Sequence, residues 1–191
     1  MQISGSTCLL LGGLLLLPSL ASGQEPAARS GLWGGFRVGY SGLRMTCSDC
    51  SPIETVGATS GAFQFGWTLT PTWLLGLELD GWQREESDDH GEVVRATITW
   101  YPRPTAHGFI RAGLGREVFY GALIDGPRER AQGLGLLIAA GYDVRMSRGL
   151  SITPVVSLSQ GWVGTTRFLG HPVRSGVRDM VVTAAIGVTG H

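Results

Sequence analysis

The stretch Ala62–Trp82, AFQFGWTLTPTWLLGLELDGW, constrains the fold more than any other. Before the Thr70-Pro71-Thr72 connection, Phe63, Phe65, Trp67 and Leu69 share one parity, and Gln64, Gly66 and Thr68 the other. After it, Trp73, Leu75, Leu77 and Leu79 continue the apolar parity, opposed by Gly76, Glu78 and Asp80. Period-two alternation places successive side chains on opposite faces of a strand. Proline presets one turn dihedral and has no N–H for a ladder, so the two runs read as an antiparallel hairpin. One face is large and apolar, the other small or charged. Such a sheet is satisfied if the apolar face meets lipid and the charged face lines a closed barrel.

The same alternation recurs along the chain. Strands are expected at Leu32–Arg44, Ala58–Leu69, Trp73–Gln83, Val93–Tyr101, Gly108–Tyr120, Gly133–Arg145, Leu150–Trp162 and Val177–Thr189. Each is long enough to cross a bilayer at a tilt. The connections alternate long and short, the arrangement of a meander with short turns at one end and long loops at the other. The expected fold is therefore all-β, an eight-stranded antiparallel up-and-down transmembrane barrel over residues 32–191. A signal peptide is expected over residues 1–23, with the apolar core Cys8–Leu17 and a small-residue cleavage pattern at Ala21-Ser22-Gly23, then a short lead over 24–31. That core is too short for a good spanning helix, so a membrane protein here crosses with strands.

Aromatics fall near strand ends. Trp33, Trp73, Trp100, Tyr101, Phe109 and Tyr142 are expected at a periplasmic girdle, and Tyr40, Phe63, Tyr120 and Trp162 at an outer one. Two residues resist the scheme. Arg116 has lipid-facing parity, so either a bulge shifts the register there or the side chain snorkels to the outer interface. Pro154 removes a ladder hydrogen bond and suits a bulge near its strand start.

The polar parity collects Arg37, Glu78, Asp80, Arg95, Arg111, Glu117, Asp143, Arg145 and Asp179. Inside a small barrel these side chains fill the lumen, and buried charges must pair. A plug of arginine–carboxylate pairs is the favoured reading; a narrow ion path is the alternative. All fifteen basic residues are arginine, which follows either from base composition or from the fitness of guanidinium for buried pairing. Cys47 and Cys50 form C-x-x-C in the first long loop. Two cysteines do not complete a zinc site and no βαβ context supports redox chemistry, so a disulfide is expected in an oxidising compartment. Ser87-Asp88-Asp89-His90 reads as a solvated acidic loop, with weak divalent-cation binding second. Arg167, His171, Arg174 and Arg178 either meet lipopolysaccharide phosphates or lie on a solvated loop.

From Trp33 to His191 the chain resembles small bacterial outer-membrane β-barrel proteins of the OmpA-transmembrane-domain and OmpX type. The resemblance rests on the signal peptide, the cysteine loop, YPRP ending strand four, RAGLG in strand five and the closing IGVTGH. It implies a single barrel inserted by the outer-membrane assembly machinery, with no catalytic residues and no following peptidoglycan-tethering domain. Such barrels commonly end on Phe, Trp or Tyr; this chain ends on His191.

The expected function is a structural or surface-interaction role at the bacterial outer membrane, not an enzymatic one. A small pore is the alternative, and a secreted lipocalin-like binder of apolar ligands a third reading. Expected partners are outer-membrane lipid, lipopolysaccharide and the assembly machinery, with the chain a monomer. A net charge of zero argues against nucleic acid, and neither cofactor nor metal is expected.

Overall fold

A computed structural model describes residues 29–48, 55–84, 87, 89–123, 126–168 and 171–191. The expected signal peptide, most of the lead and Cys50 lie outside the described residues. The elements are β1 (Leu32–Thr46), β2 (Val56–Thr70), β3 (Trp73–Arg84), β4 (His90–Trp100), β5 (Gly108–Leu123), β6 (Gly126–Tyr142), β7 (Val144–Arg145), β8 (Leu150–Phe168) and β9 (His171–Gly190). Each pairs antiparallel with its neighbours, β1 pairs with β9, and the β6–β8 pairing closes the cylinder. β6 and β7 are one strand. Gly141 faces Val155 and Val144 faces Ile152 in a single register, and the interruption falls opposite Pro154, which has no N–H for the ladder. The barrel therefore has eight strands. At Pro154 itself the pairing with β9 is unshifted, so the proline breaks one rung without the expected bulge.

Local chemistry sets the short turns. Thr70 Oγ1 accepts from the backbone N–H groups of Thr72 at 3.3 Å and Trp73 at 3.1 Å, closing the β2–β3 hairpin. At the β7–β8 turn, Met146 and Ser147 donate to the Leu150 carbonyl at 2.9 and 3.1 Å.

The outer hairpins are longer than the alternation indicated. Most of 121–132 and 163–176, expected as loops, is strand: Leu123 faces Gly126, and Phe168 faces His171. There the outward face carries Arg130, Gln132 and Arg167 while Glu129, Ala131, Val163 and Thr166 are buried, so pairing continues where the apolar outward period has stopped. The last hairpin is irregular, with register shifts at Trp162/Gly164, Gly164/Thr166 and Thr166/Arg167.

The parity assignment holds through the wall. Val38, Phe65, Leu77, Ile98, Ile138 and Ile186 stand exposed on the outside, while Arg37, Glu78, Arg95, Arg111 and Asp179 are buried within. Arg116 is on the outside too, and the β4–β5 register runs past it without a shift, so no bulge turns it inward. The girdle assignment needs correction. Trp73, Trp100 and Tyr142 are exposed outside, but Trp33, Tyr101 and Phe109 are buried inside. They share the parity of Arg37, Thr99 and Arg111, and a strand face outranks proximity to its end.

Inward aromatics and glycines are matched across strands. The Trp33 ring lies over Gly76, Trp82 over Gly91 and Phe109 over Gly141, where any β-carbon would collide with the ring. Large side chains thus fill the lumen where the neighbouring strand offers none.

Candidate functional site

The lumen holds a charged layer between two apolar plugs. One plug, at the end of the barrel bearing Arg29 and His191, comprises Trp33, Leu74, Tyr101, Phe109, Ala139 and Val155. The other, at the end with the long hairpins, comprises Leu43, Met45, Ala58, Trp82, Phe119, Ala131, Val163, Val177 and Val181, with Cys47 and Val56 packed against it.

Glu78 is the centre of the charged layer. Its side chain is fully buried, with Arg37 Nη1 at 2.8 Å from Oε2, Arg37 Nη2 at 3.0 Å from Oε1, Arg111 Nη1 at 3.4 Å and Arg95 Nε at 3.8 Å. Asp80 meets Arg95 Nη2 at 3.2 Å and Arg37 Nη2 at 3.5 Å. The spare guanidinium hydrogens go to neutral acceptors: Arg111 donates to Thr99 at 2.9 Å and to Gln64, and Arg95 to Ser159 at 3.2 Å. Charges this deep persist only when paired and hydrogen-bonded, and here three arginines share two carboxylates.

Glu117 and Asp179 form a second group. Both side chains crowd Gly161, whose missing β-carbon leaves the space for the two carboxyl groups. Glu117 Oε2 and both Asp179 carboxylate oxygens have no hydrogen-bond partner among the described residues.

Asp143 belongs to a third group, at the end of the barrel bearing Arg29 and His191. Its Oδ2 accepts from Tyr101 at 2.8 Å and Arg29 at 3.5 Å, and its Oδ1 from Thr153 at 2.9 Å. Arg29 also donates to the carbonyls of Pro104 at 3.1 Å and Ala106 at 2.7 Å, and its guanidinium lies 3.4 Å above the Tyr101 ring. Burial and the adjacent Asp143 push the Tyr101 phenol above its ordinary value. Arg145 is half-buried at the mouth with His191 and makes no ion pair among the described residues. Burial pulls the His191 imidazole below its ordinary value.

Of the nine lumen residues read from parity, the structure brings Arg37, Glu78, Asp80, Arg95 and Arg111 into one network, sets Glu117 beside Asp179 at Gly161, and places Asp143 and Arg145 elsewhere. Sequence reasoning missed Arg29, because the lead carries no periodicity. It also missed Glu129, buried in a stretch read as loop and paired with Arg174 at 3.4 Å. Gln64, Thr99 and Tyr101 stood on the inward parity all along. In the acidic loop, Arg84 and Asp89 pair at 3.4 Å, and the His90 ring stacks on Tyr120. Asp88 lies outside the described residues. Among the described residues no three His, Cys, Asp or Glu side chains converge to hold a metal ion.

This architecture is that of the small outer-membrane barrels of known structure. The chain is similar to Neisserial surface protein A, with a TM-score of 0.56 at 12% identity, over 83% of this chain and 97% of that one. It is similar too to Ail, the attachment invasion locus protein of Yersinia pestis, solved in complex with the heparin analogue sucrose octasulfate. There the TM-score is 0.53 at 12% identity, over 84% of this chain and 99% of that one. At such identities the likeness is one of fold. No protein-family model and no curated protein matches the sequence.

Proposed function

We propose that the chain is an integral protein of the bacterial outer membrane, with a closed lumen and a structural or surface-interaction role carried by its outer hairpins. The observation that carries this reading is the inverted barrel: large apolar side chains stand outside and ion pairs inside. In water that arrangement would expose an apolar belt far larger than soluble proteins tolerate. Two plugs and an ion-paired charged layer favour a sealed barrel over a pore. The likeness to two surface proteins, one named for attachment and invasion, supports an outward-facing role. In the same reading an export signal precedes the barrel, the assembly machinery inserts it, and a Cys47–Cys50 disulfide braces the first outer loop. The same reading assigns the chain no enzymatic role.

The test is gel mobility of the membrane-fraction protein with and without boiling, followed by single-channel recording. A faster unboiled band and a silent bilayer support a sealed barrel. Steady conductance supports the pore instead. Recovery in the soluble periplasm, without a shift, overturns the membrane reading.

A further inference from the structure

Three arginines converge on the outside of the barrel at its outer rim, where the wall itself opens. β6 and β8 pair at Arg130/Arg167 and again from Leu134/Trp162, but their register slips between these points. Gly164, at a φ of 75°, turns the β8 backbone away there. The gap leaves a cleft of about 520 Å³ whose lining includes Arg130, Gln132 and Arg167. Arg116 reaches it from β5 by donating to Gln132 Oε1. The outward carboxylate of β4, Glu92, lies on the far side of β5, and Arg116 turns away from it. Arg130 rests against the Tyr120 ring at 5.6 Å, and none of the three arginines has an ion-pair partner among the described residues.

The depth of this cluster matters. Leu134 and Trp162, exposed and apolar on the outside, lie four and five residues toward the membrane from Arg130 and Arg167, and Arg116 starts level with Leu134 and reaches out to Gln132. Aromatic side chains of this kind mark the headgroup level, and arginine stems lying along the wall carry their guanidinium groups just beyond it. Three unneutralised guanidinium groups around one cleft form a fork-shaped donor set suited to phosphate oxygens. We propose that the β6–β8 cleft binds the phosphorylated headgroup of an outer-leaflet lipid, with Arg116, Arg130 and Arg167 on the phosphate and Gln132 holding Arg116 in place. This rests on the outer-membrane reading and adds to it a specific lipid site.

The test uses the purified full barrel and native mass spectrometry, with bisphosphorylated lipid A, the same lipid A stripped of phosphate, and inorganic phosphate as competitor. Unboiled gel mobility is recorded for every sample. The expected result is retention of the phosphorylated lipid about tenfold above the stripped one, lost in Arg116→Gln/Arg130→Gln/Arg167→Gln and kept in Arg103→Gln/Arg148→Gln at the opposite rim. Millimolar inorganic phosphate is expected not to displace the lipid. Equal retention of both lipids, equal loss in the two variants, or displacement by free phosphate overturns the lipid site while leaving a heat-modifiable barrel intact. A protein with no mobility shift overturns the membrane reading, and the site with it.

Discussion

Glu78 presents both carboxylate oxygens to the fork of Arg37, at 2.8 and 3.0 Å, with side-chain exposures of 0% and 5%. Glu78 also faces Arg111 and Arg95, whereas Asp80 is 19% exposed and touches only Arg37 and Arg95. Neutralising Glu78 therefore leaves more buried positive charge. Glu78→Gln is expected to destabilise the barrel by about 3–5 kcal/mol, and Asp80→Asn by clearly less. Urea unfolding in lipid vesicles measures both, and the reverse order would show that Glu78 is not the hub.

The Glu117–Asp179 pair is expected to respond in the opposite sense. Two buried carboxyl groups crowd each other beside Gly161, so Asp179→Asn relieves a like-charge contact, supplies a neutral donor and removes no arginine ion pair among the described residues. The variant is expected to be at least as stable as the parent in the same assay. A loss comparable to that of Glu78→Gln would mean that Asp179 serves an arginine after all.

Arg29 ties the lead to the barrel mouth through Asp143, two carbonyls and the Tyr101 ring. Arg29→Ala is expected to cost about 2–3 kcal/mol and to loosen the plug around it. Faster amide exchange near Tyr101 and His107, with unchanged exchange at the opposite end, is the expected signature.

Tyr101 and His191 make that mouth pH-sensitive in both directions. A phenol whose folded value is raised is neutral in the folded state, so the stability it contributes is present below the unfolded value of about 10 and falls as pH climbs above it. An imidazole whose folded value is lowered favours its neutral form. Its contribution is present above the unfolded value of about 6.5 and is lost as pH falls through that value and below. Ultraviolet titration should show Tyr101 ionising above the ordinary phenol value of about 10. In Tyr101→Phe the alkaline loss of stability should shrink, and in His191→Gln the acid one.

The wall was legible because a strand has period two and the two faces of this barrel differ sharply in chemistry. Leu75, Leu77 and Leu79 against Gly76, Glu78 and Asp80 leave one way to orient the strand, and every later strand repeats the choice. Legibility ended where the contrast did. In 121–132 and 163–176 the outward face turns polar at Arg130, Gln132 and Arg167 while Glu129, Ala131, Val163 and Thr166 stay buried, and the ladders there left no apolar outward trace.

Amino-acid order alone thus determined the strands, their faces and the set of residues sent inward, since these follow from neighbours two positions apart. Only the closed barrel decided who meets whom. Glu78 gathers Arg37, Arg95 and Arg111 because β1, β3, β4 and β5 curve round one axis, and Arg29 reaches Asp143 across 114 residues of chain. The Arg116, Arg130 and Arg167 cluster depends in the same way on a slip between β6 and β8. Parity says which side a side chain takes; curvature and register bring partners together, and those are set by pairing between strands distant in sequence.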